Sequence, residues 1–340
     1  MNPFTQYLPA LEAMMQQVVG DKSPELLYGM IRYHLGWADT AFRPITDKAG
    51  KRLRPIFLLL ACEAQAGVPP VCDWREALPA AAAIELLHNF TLIHDDIEDR
   101  DRTRRGRPTL WTVWGEPQAI NAGDALFTLA YRSMMNLQTT SLPPALIVRV
   151  VARYTEAILK ITEGQCLDLS FESELDIAEA AYIAMIRNKT AVLLGLSCEL
   201  GGMIANAPAA RIDALREFGE SLGMAFQMQD DLLGLWGKPE QTGKPVGSDL
   251  RNRKKTLPIL HGMAHSADFR ALVTGASAIG DAEIAEGLAL LEAAGSREYV
   301  QAQALAHHRA ALDALEQSQG VGEAQAALYA LAEQLVGRDT

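Results

Sequence analysis

Apolar residues recur at three- and four-residue spacing along nearly the whole chain, the period of helices that bury one face. Segments near residues 5–36, 51–67, 76–100, 118–137, 143–170, 176–206, 210–236, 255–270 and 282–336 carry this pattern. The first and last are long enough to hold more than one helix each. Breaks are expected where Gly, Pro and polar residues gather: Gly67–Pro70, Gly106–Thr109, Ser141–Pro144 and Gly237–Gly247. Strand-like alternation with hairpin turns is lacking, no β/α repeat is evident, and no linker divides the chain. Segments 76–100 and 176–206 are apolar around most of their circumference, as helices buried on all sides are. The pattern predicts an all-α fold: one large helical bundle over residues 1–340, with central helices surrounded by others. Part of the apolar excess is expected to be covered by a second copy, as a homodimer.

Composition supports helix. Hydrophobic residues make up 49% of the chain, and Ala and Leu, which lose little entropy in helices, dominate them. The net charge of -11 argues against a nucleic-acid protein, which would show a basic face. It leaves anionic substrates open, because carboxylate-bound metal reverses the local sign. The N-terminus shows no secretory leader, and no stretch reaches the roughly 20 apolar residues of a membrane span. Cys62, Cys72, Cys166 and Cys198 form no CxxC and read as reduced thiols. A cytoplasmic protein without an integral membrane segment is expected.

The chemistry gathers at two acidic segments. His94-Asp95-Asp96-Ile97-Glu98-Asp99 closes an apolar helix. Asp95 and Asp99 stand one turn apart on one face, where like charges destabilise a bare helix and the C-terminal dipole disfavours them further. A cation should compensate, and Mg²⁺ is suited to one or two carboxylates plus water and phosphate oxygens. A solvated acidic helix end is the bland alternative. Against it, the largely apolar helix Phe218–Trp236 carries Gln227, Asp230 and Asp231, and burying adjacent carboxylates without partners is costly. Cations accompany both segments: Lys51 and Arg54 at a helix start, Arg104 and Arg105 before a Gly-Arg-Pro-Thr turn that reads as a mobile edge, Lys189 beside Thr190, and Lys244 in a Gly-rich loop. Arg offers a planar fork for phosphate and Lys a compact charge. His88 lies two turns before Asp95, and either a phosphate donor or a satisfied core histidine fits that spacing.

Gly50-Lys51-Arg52-Leu53-Arg54-Pro55, His88 through Asp99, Arg104 through Thr109, Lys189-Thr190 and Phe226 through Asp231 occur in the order found in the trans-isoprenyl diphosphate synthases of the polyprenyl synthetase family, which the chain resembles from about residue 25 to 330. The resemblance implies an isoprenoid-synthase bundle with a central cavity, usually homodimeric. It implies head-to-tail condensation of isopentenyl diphosphate with an allylic diphosphate: dimethylallyl, geranyl or farnesyl. It makes Asp95, Asp99 and Asp230 the principal ligands of three Mg²⁺ ions, with Asp96 and Asp231 in support. Arg104, Lys189 and Lys244 would hold the allylic diphosphate, and Lys51, Arg54, His88 and Arg105 the isopentenyl diphosphate. Thr190 and Gln227 would lie beside the developing cation. Phe90 and Thr91, just upstream of Asp95, would set chain length. An aromatic followed by a small residue, with no insertion inside Asp95–Asp99, resembles synthases of the C20 product, geranylgeranyl diphosphate. Farnesyl diphosphate, C15, is the nearest competitor, then a low-activity or regulatory subunit of a heteromeric synthase, and behind these a class I terpene cyclase. One departure stands out: the second segment reads Asp230-Asp231-Leu232-Leu233-Gly234, with glycine where the family carries its last aspartate.

Overall fold

The computed structural model describes residues 3–45, 50–67, 72–239, 245–275 and 278–336, the side chains of residues 3 and 4 excepted. It is all-α apart from one two-stranded hairpin. The chain's contacts group into two compact units. The first comprises Met1–Ala152, Ser197–Ile212 and Gly320–Leu328; the second comprises Arg153–Leu196, Asp213–Gln319 and Tyr329–Thr340.

In the first unit the helices are α1 (Pro3–Val19), α2 (Glu25–His34), α3 (Leu53–Gln65), α4 (Leu78–Glu98), α5 (Leu110–Trp114) and α6 (Glu116–Met135). The opening of α7 (Pro144–Glu172) also belongs there. The centre is α4, packed chiefly on α6 and also on α1 and α3. Every residue from Leu78 to Leu87 is buried. Four successive alanines, Ala80 to Ala83, give this stretch its small profile, which lets neighbouring helices approach closely. Pro79 sits in the first turn, where its missing N–H costs nothing. At the other end the helix stops at Asp99, and Arg100 turns the chain with a φ of 57°.

Between α4 and α5 the chain forms the hairpin that the sequence pattern did not announce. Strands β1 (Thr103–Arg104) and β2 (Arg107–Pro108) pair antiparallel across Arg105-Gly106. Both turn residues have positive φ, 52° and 71°, the requirement of the tight hairpin turns whose twist matches the strands. Two residues per strand are too few for alternation to register in the sequence. The second strand of this hairpin, in the Gly-Arg-Pro-Thr segment, is tied to α2 and the residues after it. Arg107 donates from Nη1 to Tyr33 O at 2.9 Å and from Nη2 to Ala38 O at 2.7 Å, while Tyr33 Oη donates to Pro108 O at 2.8 Å.

In the second unit the expected 176–206 helix is two helices, α8 (Glu179–Ile186) and α9 (Val192–Ile204), joined by a wide π-helical turn at Arg187–Ala191. Helix α10 (Ala209–Trp236) carries the second acidic segment. Helices at Ser248–Arg251, Leu257–His265, Ala267–Thr274, Asp281–Ala293 and Ser296–Gln317 follow. The expected 255–270 helix is broken at Ser266, whose side chain instead caps the next helix by accepting from Phe269 N. One apolar cluster joins α8 and α10 through Tyr182, Met185, Met224, Met228 and Leu232. A second one, around Leu235, Leu250, Ile259 and Phe269, fastens the segment after α10. The last helix, Gly322–Val336, contributes to both units, as do α7, α9 and α10. Among the described residues no helix is long and apolar enough to cross a membrane.

Candidate active site

Helix α4 delivers Asp95 and Asp99 on one face, as the four-residue spacing requires. Asp99 is exposed, Asp95 half-buried and Asp96 buried. The hairpin folds Arg104 back onto this end: its Nε donates to Asp96 Oδ1 at 2.6 Å and its Nη2 to Asp95 Oδ2 at 3.2 Å. One guanidinium thus spans two adjacent carboxylates. Burial pushes the Asp96 carboxyl up to about 6, against the pull of Arg104.

The basic group lies beside it in the same unit. Arg54 Nη1 and His88 Nε2 are 3.3 Å apart. Arginine has no acceptor, so Nε2 accepts and the imidazole proton resides on Nδ1. Burial, then the charges of Arg54, Arg105 and Arg104, pushes His88 well below its usual pKa. His88 is therefore a neutral ring among cations. The Arg105 guanidinium lies against Gly50: a Cβ there would come within 2.7 Å of its Cζ. Lys51 is exposed at the entrance to α3.

Sequence reasoning passed over the residue between the two basic candidates. Arg52 is 2% exposed. It donates from Nε to Glu12 Oε1 and from Nη1 to Glu85 Oε1, both at 2.8 Å, and from Nη2 to Leu35 O at 3.1 Å. Asn89 Nδ2 also donates to Glu85 Oε1, at 2.8 Å. This network holds Arg52 in a left-handed conformation (φ 52°, ψ 36°) at the N-terminus of α3, which L-residues adopt only at a cost. Lys51 and Arg54 thereby leave the chain from a fixed corner. Also missed was a cleft lined by Tyr33, His34, Asp96, Arg104, Arg105 and Arg107. No periodicity argument links α2 to the hairpin, because their approach is tertiary.

In the second unit, Asp230 is exposed on α10 while Asp231 points inward. Asp231 Oδ2 accepts from Tyr182 Oη at 2.5 Å and from Leu257 N at 3.2 Å; Oδ1 accepts from Gln227 Nε2 at 3.1 Å. Burial pushes its carboxyl up to about 7, against these three donors. Gln227 Oε1 in turn accepts from Thr190 Oγ1 at 3.1 Å. Asp231, Gln227 and Thr190 therefore form one hydrogen-bonded chain, whose Tyr182 anchor no sequence spacing signalled. Lys189 pairs with Asp168 of α7. A close approach makes this possible: a Cβ at Gly164 would meet Lys189 N at 2.3 Å. The π turn carrying Lys189 and Thr190 rests directly on that glycine. Lys244 lies outside the described residues.

Among the described residues no three carboxylate, histidine or cysteine side chains converge as a ready-made metal cage. That suits Mg²⁺, which keeps water and phosphate oxygens in its shell and asks little of the protein. Of the aspartates in the two acidic segments, Asp99 and Asp230 are exposed and Asp95 half-buried, while Asp96 and Asp231 are buried. In the first unit, carboxylates at a helix end met by an arginine fork are a donor set suited to diphosphate esters.

Comparison with known proteins supplies the rest. Residues 36–285 match the family described as Polyprenyl synthetase. The (2E,6E)-farnesyl diphosphate synthase of Mycobacterium tuberculosis is 41% identical over 84% of this chain and 78% of its own. The geranylgeranyl diphosphate synthase of the same species is 40% identical over 86% and 82%. Among solved structures, polyprenyl synthetase from Streptomyces coelicolor superposes with a TM-score of 0.86 at 33% identity, covering 98% of this chain and 97% of that one. Geranylgeranyl pyrophosphate synthetase from Pyrococcus horikoshii gives 0.87 at 32% identity with the same coverage. The chain belongs to the polyprenyl synthetase family, the trans-isoprenyl diphosphate synthases. It is a Mg²⁺-dependent prenyltransferase that extends prenyl chains head to tail.

Proposed function

We propose that the protein condenses isopentenyl diphosphate with a dimethylallyl, geranyl or farnesyl diphosphate to give a short-chain all-trans product. The observation that carries the site assignment is the Arg104 fork across Asp95 and Asp96. A guanidinium held at these carboxylates supports the reading that an allylic diphosphate and its metal are received there. Asp95, Asp99 and Asp230 are assigned as Mg²⁺ ligands, with Asp96 and Asp231 holding Arg104 and Gln227 in place. Three bound Mg²⁺ ions would supply charge neutralisation of the departing diphosphate. Arg104, Lys189 and Lys244 bind its oxygens. Lys51, Arg54 and Arg105 bind the isopentenyl diphosphate, and neutral His88 orients Arg54 and offers its Nδ1 proton. The Thr190 and Gln227 oxygens place partial negative charge beside the allylic cation. Apolar helix walls exclude water from it.

Product length follows from what lies beneath Asp95. Phe90, five residues earlier, is about 7.5 Å lower along the helix axis. Its ring meets Phe127 of α6 at 4.9 Å between centroids, and Phe127 meets Tyr131 at 5.2 Å. Phe90 backed by two further rings makes a less yielding floor than Phe90 alone, so the weight moves from the C20 product expected from Phe90 and Thr91 to C15, farnesyl diphosphate. Thr91, whose hydroxyl folds back onto His88 O at 2.8 Å, leaves the space that favours C20 as the second reading. A homodimer is proposed as the active form.

Purified protein incubated with Mg²⁺, isopentenyl diphosphate and each of the C5, C10 and C15 allylic diphosphates should yield C15 as the main product by mass from the C5 and C10 substrates and leave most of the C15 substrate unextended. Consumption only after a second polypeptide is added would replace this reading with that of a heteromeric subunit. Phe90→Ala should lengthen the product by at least one isoprene unit; an unchanged distribution removes Phe90 from the floor.

A further inference from the structure

Two of the four cysteines meet in the first unit, and the diphosphate chemistry uses neither. Cys62 lies in the last turns of α3, and Cys72 just before the 3₁₀ turn Trp74–Ala77 that leads into α4. Both stand against one stretch of α9. A Cβ at Gly201 would come within 2.4 Å of Leu58 O and 2.8 Å of Cys62 N, so α9 lies directly on the α3 backbone at Cys62. One turn further along α9, Ile204 O is 3.9 Å from the Cys72 sulfur. The same sulfur is 3.5 Å from Asp73 O. Packed on adjacent parts of one helix, the two thiols are close enough to hydrogen-bond each other.

Their surroundings give them different chemistry. Cys62 is wholly buried, and its hydrogen bond to Cys72, with burial behind it, holds its proton well above the usual thiol range. Cys72 is half-buried. The Cys62 thiol, donating to it, draws its pKa below the usual value, against burial and the charges of Glu76 and Asp73. The thiolate is the reactive form of cysteine, and it reacts only where a reagent can reach it. Cys72 meets both conditions and Cys62 neither. Cys166 is exposed and Cys198 wholly buried, so they serve as internal references for access alone and burial alone.

We propose that Cys72 is a site of oxidation by hydroperoxides and that Cys62 captures the oxidised sulfur as an intramolecular disulfide. The Cys72 thiolate attacks one oxygen of hydrogen peroxide and the O–O bond breaks. The departing hydroxide takes up the proton that the thiol had released, leaving water and a Cys72 sulfenic acid. The Cys62 sulfur then attacks the Cys72 sulfur: the S–S bond forms, the S–O bond breaks, and the Cys62 proton converts the departing hydroxide into a second water. Two thiols and one peroxide thus give one disulfide and two waters. Capture by Cys62 stops the oxidation at a stage that a thiol reductant reverses, short of the irreversible sulfinic and sulfonic acids. It also joins α3 to the approach of α4 at the ends of these helices remote from Arg54 and Asp95.

Peptide mapping by mass tests this on the full-length protein, exposed to increasing hydrogen peroxide and then alkylated without reductant. No cleavable Lys or Arg separates the two cysteines, so trypsin releases both in the one peptide Leu53–Arg75. That peptide should lose two hydrogens before Cys166 or Cys198 loses its thiol, and dithiothreitol should restore both thiols. In Cys72→Ser, Cys62 should stay reduced throughout. In Cys62→Ala, Cys72 should gain oxygen instead of forming a disulfide, and dithiothreitol should no longer restore it after long exposure. Should Cys62→Ala fail to fold, the wild-type map and Cys72→Ser still decide. A Leu53–Arg75 peptide that keeps both thiols while Cys166 oxidises overturns the proposal. So does a Cys72 that gains oxygen in the wild type without losing the Cys62 thiol, because capture then fails. Oxidation of Cys62 in Cys72→Ser at the wild-type rate overturns Cys72 as the point of attack.

Discussion

Single charged groups in this protein are settled by what surrounds them more than by their type. Arg52 and Arg54 are two positions apart, yet one is sealed in an ion cluster and the other meets a histidine. Burial lowers the pKa of the Arg52 guanidinium, but Glu85 and Glu12 more than offset it, and the net shift is upward. Arg52→Met should leave both glutamates without their partner and cost about 3 to 5 kcal/mol in urea unfolding, the range for breaking buried pairs. Arg52→Lys should recover part of it. His34 tests the same logic through pH. Burial, then Arg105, Arg104, Arg52 and Arg107, pushes its pKa down to about 3. The unfolded chain binds a proton on this ring near pH 6.5 and the folded chain does not. The stabilising contribution is therefore complete above pH 6.5 and is lost as pH falls towards 3, by at most about 1.4 kcal/mol per pH unit. Unfolding free energies of the wild type and His34→Gln should converge as pH falls from 7 to 4; a constant difference removes His34 as the cause.

At the scale of elements, close approaches decide where the functional groups stand. The π turn at Arg187–Ala191 widens the helix just where Lys189 and Thr190 are presented, a use of such turns common at functional sites. Gly164 lets that turn settle onto α7, with backbone where a Cβ would be. Gly164→Ala should force the turn outward, at a cost of about 1 to 3 kcal/mol for an overpacked contact. It should lower kcat while leaving KM for isopentenyl diphosphate within about twofold, since Lys51, Arg54 and Arg105 belong to the other unit. Steady-state kinetics with both substrates varied distinguishes this from general loosening, which would move both constants. The hairpin makes the complementary point: Arg107 and Pro108 fasten its second strand to Tyr33 and Ala38, and Arg104 on its first strand is then held by Asp95 and Asp96 of the acidic helix.

For the whole molecule, the helix α7 carries Val148 and Leu159 at 69% and 61% exposure. With Ala152 and Thr155, also exposed, they form a stripe at seven- and four-residue steps along one face. Such a stripe on a long helix is where the proposed homodimer would be expected to associate. The protein should sediment at twice its chain mass of 37.0 kDa. Val148→Glu combined with Leu159→Arg should shift it towards the monomer and lower activity in parallel. A wild-type monomer at micromolar concentration that turns over at full rate would remove the dimer from the mechanism.

Helix content, the acidic segments and the order of the basic motifs followed from the sequence alone, because each depends on spacing within one element. Four residues on a helix always return to one face, so Asp95 and Asp99 needed no coordinates. Tertiary structure decided what spacing cannot reach. Adjacent aspartates were separated into an outward Asp230 and an inward, fully hydrogen-bonded Asp231 by the positions of Tyr182 and Leu257, 49 and 26 residues away. Arg52 became a buried corner through Glu12 and Glu85, from helices distant in sequence. Gly234, a missing carboxylate when the chain is read in a line, is a space that Asp249 fills. The difference is physical: the backbone's own period fixes which side chains share a face, but only the packing of one element on another fixes what that face meets.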